Sequence, residues 1–315
     1  MILNSGSISK NEHFNKKLTG CKHNTLRLIY IIFVILLALR YTSNNELMKN
    51  RKILYVSSEV VPYLPESEIS SMSFEIPKMA NKKGCQIRIF MPRYGNINER
   101  RHQLHEVIRL SGLNLVINDL DMPLIIKVAS IPKERIQVYF IDNEDYFKRK
   151  ATFTDKDGKL FEDNDERAIF FAKGVFETIK RLNWPPDIIH IHGWMSALLP
   201  LYFQQIYKND PIFSNSKIVT SLYGNEFNKT LNKNISDKII FDEIDQKYIS
   251  DLKNPTYENL MKTAISCSDG IIKGSENISS EITDYLKNYK KPILDFHPTD
   301  SFSEPYMEFY EKLIS

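Results

Sequence analysis

The amino-acid sequence predicts an α/β fold with a doubly wound, mainly parallel sheet. Short apolar runs of strand length, such as 52–56 and 188–191, end in polar turns. Segments with apolar residues at helical spacing, such as 70–83 and 163–182, lie between runs of this kind. Strands that alternate with helices form βαβ units, whose strands are parallel and whose helices cover the faces of one sheet.

Length and composition are those of an ordinary globular protein. The 315 residues are 42% hydrophobic and 26% charged, which is enough apolar material for a sizeable core. The 42 basic and 39 acidic residues nearly balance, at a net charge of +3. Nucleic-acid binding usually requires a clustered basic face, so the composition predicts no nucleic-acid partner.

Residues 1–47 form a basic N-terminal extension around one apolar run at 28–39. The run is shorter than the roughly 20 residues that cross a bilayer, and no small-residue cleavage site follows it. In one interpretation residues 28–39 are a signal anchor, which makes the protein membrane-associated. In the other, translation starts at Met48 and the protein is cytoplasmic. The second is favoured because a domain that begins at Lys52 needs nothing upstream.

The three cysteines, Cys21, Cys85 and Cys267, are odd in number and far apart, with no second ligand at metal-binding spacing. This pattern predicts reduced thiols in a cytoplasmic protein, without a disulfide and without a metal site.

The elements follow from local periodicity. Residues 52–56 are a β-branched run, residues 70–83 show a helical pattern that stops at Gly84, and residues 86–91 alternate as the next strand. A middle region alternates in strand fashion and precedes a long helix, 163–182, whose acidic first turn suits the positive end of the helix dipole. The predicted strands are 52–56, 86–91, 113–117, 124–129, 136–141, 188–191, 217–222 and 270–273. The predicted helices are 70–83, 163–182, 198–207, 259–268, 278–286 and, in a tail spanning 291–315, the amphipathic segment 306–314.

The strand at 188–191 leads directly to a candidate site. His192 and Trp194 follow it in a polar, glycine-containing turn. Ligands of open α/β sheets bind beyond the carboxyl ends of the strands, which is where these two side chains fall. His190 is expected to point to the opposite face and to serve packing.

Six pieces of the sequence, in order, resemble the N-terminal, Rossmann-like half of bacterial glycogen synthases and plant starch synthases. The most specific is the last, in which Trp184, Pro186, Asp187, His190, His192 and Trp194 keep the family's spacing. The pieces lie at 52–63, 77–78, 91–95, 138–143 with 146–147, 164–168 with 170–171, and 184–194.

The resemblance implies one half of a two-domain GT-B glycosyltransferase, with residues 48–290 as the N-terminal domain and 291–315 as a tail. In that family an α-1,4-glucan docks on this half, and ADP-glucose is held largely by a second, donor-binding domain. Glucose is transferred with retention of configuration, and no metal or other cofactor is implied. The donor domain is expected on a separate chain, because few residues follow 290.

The donor loop departs from the family pattern. The family's Lys-Thr-Gly-Gly-Leu corresponds here to Pro65, Glu66, Ser67, Glu68 and Ile69. Proline lacks the N–H that a phosphate would bind, and two carboxylates repel a diphosphate. The loop therefore predicts a degenerate donor site.

Two further departures fall at neighbouring strand ends. The family's His-Asp-Trp becomes His192-Gly193-Trp194, and a family histidine after the next strand becomes Leu222. These changes remove groups that would contact the reacting sugar, so no residue is a firm catalytic candidate and His192 is a weak one.

The candidate sugar-binding residues are His192, Trp194, Tyr94 and Glu226. Each has a structural alternative. His192 could be a hydrogen-bonded histidine at a strand end, and Trp194 could anchor the following helix. Tyr94 could be a turn residue, and Glu226 a solvated turn carboxylate. Glu66 and Glu68 are best explained as a solvated helix N-terminus.

Two functions follow from the sequence. The first is a glycogen synthase-like glucosyltransferase that needs a separate chain to bind the donor. The second is a non-catalytic module that binds a glucan or a protein partner. The residue chemistry favours the second.

Overall fold

A mixed sheet runs through the computed structural model, which describes residues 48–224 and 226–315. The strand order is β10-β9-β8-β7-β1-β2-β6-β5-β3, and β4 pairs with β5 off this path. The strands are β1 (Lys52–Ser57), β2 (Gln86–Pro92), β3 (His105–Glu106), β4 (Leu113–Ile117), β5 (Leu120–Ser130), β6 (Gln137–Asp142), β7 (Ile188–His192), β8 (Lys217–Leu222), β9 (Gly270–Lys273) and β10 (Ile293–Leu294).

Most neighbouring strands are parallel, as the sequence predicts. The pairs from β10 through β6 in the strand order are parallel, and the pairs that β5 makes with β6, β3 and β4 are antiparallel. The chain builds outward from β1 in one direction through β2 and β6, and from β7 in the other through β8 and β9. The topological switch point therefore lies between β1 and β7, where doubly wound sheets bind ligands.

The helices cover both faces of the sheet. They are α1 (Glu68–Lys82), α2 (Glu99–His102), α3 (Glu144–Phe147), α4 (Asn164–Leu182), α5 (Leu199–Tyr202), α6 (Ile235–Phe241), α7 (Tyr257–Cys267), α8 (Ser280–Leu286) and α9 (Ser303–Ile314). Contacts of Ser57 with Ser73 of α1, and of Tyr55 with Tyr310 of α9, place α1 and α9 on one face. Gly174 of α4 lies against Ile141, and Ser268 at the end of α7 contacts Thr220, so α4 and α7 cover the other face.

Local chemistry explains where the main helices begin and end. Ser67 caps α1 in a reciprocal capping box with Ser70, and Gly84 follows the helix with φ of 90°. The acidic first turn of α4 contains Asp165 and Glu166, and the helix ends at Asn183 in the left-handed conformation.

The predicted elements agree closely with the structure, with two informative differences. β5 begins at Leu120, four residues before the predicted strand. The predicted helix at 198–207 is α-helical only over Leu199–Tyr202 and continues as a π-helix over Phe203–Tyr207.

The tail helix α9 packs onto the sheet. Tyr306, Met307, Phe309 and Tyr310 are buried. A Cβ on Gly270 of β9 would lie only 2.8 Å from the Phe309 ring, so this glycine lets the helix approach the strand. The apolar face of the amphipathic segment therefore packs against the sheet.

Several expectations concern residues outside the described range, including the apolar run 28–39 and Cys21. Within that range Cys85 and Cys267 are buried free thiols. None of the helices in residues 48–224 and 226–315 is both long and apolar enough to cross a membrane.

Candidate active-site edge

The candidate site lies at the switch point of the sheet. Ser57, the last residue of β1, is in register with His192, the last residue of β7, and His192 is in turn in register with Ser221 of β8. All three side chains are buried. His192 is thus the last residue of a central strand, one position earlier than the turn in which the sequence predicted it.

His190 does not point to the opposite face, so that expectation is wrong. Side chains alternate along a strand with a period of two, which puts residues 190 and 192 on the same face. The two imidazole rings lie 4.1 Å apart between centroids. His190 is held at both nitrogens, by Tyr310 Oη at 2.7 Å and by Ser221 Oγ at 2.8 Å. Burial, and secondarily the charge of His192, lowers the His190 pKa well below its usual value.

His192 keeps one ring nitrogen without a partner. Its Nδ1 is 2.7 Å from the Tyr223 hydroxyl, whereas Nε2 is buried and makes no hydrogen bond. Burial lowers the pKa of His192 to about 3, so the imidazole is neutral at physiological pH. A neutral imidazole held on one side can donate to or accept from a ligand on the other.

Gly193 has a backbone conformation that favours glycine. Its φ is 78° and its ψ is 158°. A Cβ on this residue would lie 2.4 Å from Ser58 Oγ, a group that also accepts the backbone N–H of Met195 at 3.0 Å. The turn therefore brings the β1 and β7 ends together only without a side chain at 193.

Glu226 brings a carboxylate back to this turn. Its Oε2 lies 3.4 Å from the position that a Cβ on Gly193 would occupy, and the carboxylate accepts the backbone N–H of Trp194. Its Oε1 is buried and has no hydrogen-bond partner. Burial, and then the negative charge of Glu59, raise the pKa of Glu226 well above its usual value. Glu226 is therefore not a fully solvated turn residue.

Trp194 is fully buried. Its indole packs edge-on against Phe153 at 5.0 Å and Phe227 at 5.2 Å, and Nε1 has no hydrogen-bond partner. These contacts hold the indole between two loops, while sugar stacking and the anchoring of the following helix both stay predictions.

Tyr94 lies beside the same aromatic layer. Its ring packs edge-on against Phe153 at 5.5 Å, and its buried hydroxyl has no partner. The Arg167 guanidinium lies 5.7 Å from the Tyr94 ring centroid. Burial raises the pKa of Tyr94 far above its usual value, although the charge of Arg167 acts against this.

Arg167 is a polar residue that sequence reasoning missed as a site residue. It is fully buried in α4, where Nη1 donates to Asn164 Oδ1 at 2.6 Å while Nε and Nη2 have no partner. Burial lowers its pKa to about 10. In the sequence, Arg167 could have been noticed only as a cation next to the apolar stripe of a helix. Its burial becomes evident only from the packing of Tyr94 and Phe147 around it.

The loop that corresponds to the donor loop is exposed. Pro65, Glu66, Ser67 and Glu68 all face solvent, and Ser67 serves as the α1 N-cap while its hydroxyl donates to Glu59 at 2.7 Å. The interpretation of Glu66 and Glu68 as a solvated helix start agrees with this position.

Two loops cover the site. One contains Phe153, and the other follows β8 and contains Phe227. A cavity of about 280 Å³ lies between residues 159–162 and 229–232 of these loops.

In the part of the chain that the structure describes, no three His, Cys, Asp or Glu side chains converge as metal ligands would.

Comparison with known proteins identifies the family. The model of the starch synthase catalytic domain matches residues 52–291. The glycogen synthase of Chlorobium limicola is 42% identical over 176 residues, which are 56% of this chain and 36% of that protein. The glycogen synthase of Chlorobium luteolum is 34% identical over 235 residues, or 74% of this chain and 47% of that protein. The chain thus spans less than half the length of these curated relatives.

A solved structure gives the same fold. The catalytic domain of starch synthase IV from Arabidopsis thaliana, bound to ADP and acarbose, superposes with a TM-score of 0.62 at 15% identity. The match covers 81% of this chain and 53% of that one. By family model, sequence and fold, the chain belongs to the glycogen and starch synthase family of GT-B glycosyltransferases.

Proposed function

We propose that residues 48–290 form a domain that binds an α-1,4-glucan beyond the carboxyl ends of β1, β7 and β8. One observation carries the proposal: four buried polar atoms at this edge lack hydrogen-bond partners. They are His192 Nε2, Trp194 Nε1, Glu226 Oε1 and Tyr94 Oη. Buried polar atoms are nearly always hydrogen-bonded, and the hydroxyl groups of a sugar can both donate to and accept from such a set. Membership of a family of glucan synthases supports this ligand.

The two covering loops control access in this proposal. Phe153 and Phe227 pack on the Trp194 indole, so a sugar reaches the unpartnered atoms only when one of these loops moves outward. The cavity between the loops, of about 280 Å³, is close to the lower end of ligand-pocket volumes, about 300–1,000 Å³. It gives the glucan a first binding surface.

The domain binds the glucan without supplying the donor contacts. The exposed loop at Pro65–Glu68 presents two carboxylates and one residue without an N–H. A diphosphate would be repelled there, which supports a degenerate donor site and a non-catalytic role for this edge. No metal or other cofactor is part of the proposal.

Glucosyl transfer from ADP-glucose is the second candidate, and Glu226 favours it. Its carboxylate lies beside Gly193, the position at which the family carries Asp, so the edge keeps an acidic group with a raised pKa. In this case residues outside the described range, on this polypeptide or on a separate chain, would hold the donor. A separate chain that holds the donor is a partner in this second candidate only.

Glycogen binding tests the proposal directly. The native protein should be retarded in affinity electrophoresis through glycogen, and Glu226→Gln should weaken its affinity about tenfold by altering a hydrogen-bonding group. Glu308→Gln, a change in an exposed glutamate of α9, should leave retardation unchanged. Migration that glycogen does not alter would contradict glucan binding.

Transfer of labelled glucose from ADP-glucose into glycogen separates the two candidates. We expect no incorporation above background from the purified protein. Incorporation that Glu226→Gln abolishes would establish the second candidate in place of the non-catalytic role.

We also propose a cytoplasmic location. Cys85 and Cys267 are free thiols, the usual state in a reducing compartment. Fractionation of native cells with a specific antibody tests this, and recovery in the membrane pellet after a high-salt wash would contradict it.

A further inference from the structure

A larger cavity, of about 700 Å³, lies apart from the residues of the candidate edge. It is bounded by α2, by the turn between β5 and β6, and by Tyr63 from the loop after β1. Arg101 and His102 come from α2, and Lys133 and Arg135 come from the turn.

The cavity carries positive charge without a neutralising carboxylate. No Asp or Glu lines it, and none of Arg101, Lys133 and Arg135 has an ion pair in the described part of the chain. The glutamate between the two turn cations, Glu134, faces Lys78 of α1 at 3.9 Å. Three cations that converge on one space without a counter-charge favour an anionic ligand.

Tyr63 provides an independent indication of a ligand. The residue is only 5% exposed, and its buried hydroxyl has no hydrogen-bond partner. The ring packs edge-on against His102 at 5.0 Å and Phe140 at 4.9 Å, which holds the ring in place. A residue that lines the cavity and keeps an unpartnered buried hydroxyl offers a hydrogen-bonding group to a ligand that enters beside it.

We propose that this cavity binds a small phosphorylated sugar. Guanidinium groups match the geometry of phosphate oxygens, so Arg101 and Arg135 hold the phosphate with Lys133. The volume exceeds what a phosphate alone would fill and lies within the range of small-ligand pockets, about 300–1,000 Å³. Gln103, Ser130 and Gln137 line the remainder and offer hydrogen bonds to sugar hydroxyls.

A sugar fits better than a nucleotide. The only aromatic side chains in the lining are Tyr63 and His102, and their rings are already packed against each other. A base would therefore lack a free ring face on which to stack, whereas sugar hydroxyls need only polar partners. This site is independent of the proposed glucan-binding edge, so each can fail without the other.

Calorimetric titration of the full 315-residue protein at low salt tests the proposal. We expect glucose 1-phosphate to bind, inorganic phosphate to bind more weakly, and glucose to show no heat of binding. Arg101→Gln and Arg135→Gln should each lower the affinity for glucose 1-phosphate by roughly tenfold or more, because each removes a charge-assisted hydrogen bond. Arg100→Gln is the matched control, since Arg100 is exposed on the same short helix and does not line the cavity.

Tyr63→Phe examines the site without a change in charge. This variant should lower the affinity for glucose 1-phosphate several-fold. Its melting temperature should be equal to or above that of the native protein. Absence of binding by glucose 1-phosphate, equal binding by glucose, or equal affinity of Arg101→Gln and Arg100→Gln would each overturn the proposal. Inorganic phosphate that binds as tightly as glucose 1-phosphate would overturn the assignment to a sugar.

Discussion

The carboxylate of Glu226 is placed where it costs folding free energy. Burial and the nearby charge of Glu59 raise its pKa, and Oε1 lacks a partner. A group whose pKa is raised in the folded state favours folding most below its unfolded pKa, about 4.5. Its contribution is lost as the pH rises through the folded pKa. A residue kept at such a cost is a candidate for function.

Glu226→Gln should therefore stabilise the protein. We expect the free energy of unfolding to rise by about 1–2 kcal/mol at pH 8, because the uncharged amide avoids burial of a negative charge. The gain should be smaller at pH 5, because a raised pKa penalises the native carboxyl less as the pH falls. Urea unfolding at both pH values measures the difference, with Glu308→Gln as the control. A loss of stability at pH 8 would contradict this account of Glu226.

Gly193 combines an unusual backbone with a lack of space. Gly193→Ala should lower the free energy of unfolding by about 2–4 kcal/mol, through backbone strain together with the clash at Ser58. Gly158→Ala is a matched control, because Gly158 also has a positive φ, 75°, but no atom within 4 Å of an added Cβ. It should cost about 1 kcal/mol. Equal losses in urea unfolding would show that the Ser58 contact does not matter.

At the scale of the element, β7 connects the tail helix to the candidate edge. Tyr310 of α9 contacts both Tyr55 of β1, at 3.3 Å, and His190 of β7, at 2.7 Å. His190 in turn contacts Ser221 of β8. The tail helix thus fixes the imidazole that packs against His192.

Tyr310→Phe tests this connection while it keeps the ring. We expect a loss of about 1–3 kcal/mol in the free energy of unfolding, because a buried nitrogen of His190 loses its partner. Tyr248→Phe serves as the control, since Tyr248 is 40% exposed. Chemical denaturation followed by circular dichroism measures both, and an unchanged stability of Tyr310→Phe would contradict the role of this contact.

The sequence was sufficient for elements with strong local signals. Strands at 113–117, 217–222 and 270–273 are predicted with their observed bounds because apolar, largely β-branched runs stop at turn residues. The start of β5 is missed because Asp121 and Pro123 interrupt its apolar pattern. The π-helix at 203–207 has no sequence signal, since its backbone follows from packing in the core.

The candidate edge was predictable only in part. Positions after strands located His192 and Glu226, because topology alone brings parallel strand ends together. The partners Ser58 and Tyr223, and the buried state of Arg167, depend on contacts between distant segments that periodicity does not encode.

At the scale of the whole molecule, two buried histidines couple stability to pH. Burial lowers the pKa of both His190 and His192, the latter to about 3. The unfolded chain therefore binds protons below its histidine pKa, about 6.5, that the folded protein does not. The stability that the two histidines contribute is fully present above that pH and is lost progressively as the pH falls toward their folded pKa values.

This coupling predicts that the free energy of unfolding falls steeply with pH in the acid range. For each histidine that stays unprotonated in the folded state, it should fall by up to about 1.4 kcal/mol per pH unit below about pH 6. His192→Asn should reduce the slope of unfolding free energy against pH between 6 and 4.5. His105→Gln, a change in an exposed histidine, is the control for the substitution itself. Urea titrations across this range measure the slopes, and parallel curves for His192→Asn and the native protein would refute the coupling.

The turn at Gly193 also restricts how this protein can change over evolutionary time. Replacement of Gly193 by Asp alone would place a Cβ 2.4 Å from Ser58 Oγ, on a backbone at φ of 78° that strongly favours glycine. The intermediate on that mutational path would be destabilised before any benefit could be selected. An Asp at position 193 therefore requires a prior change at Ser58 and a different turn conformation, so no single substitution at this position is neutral for stability.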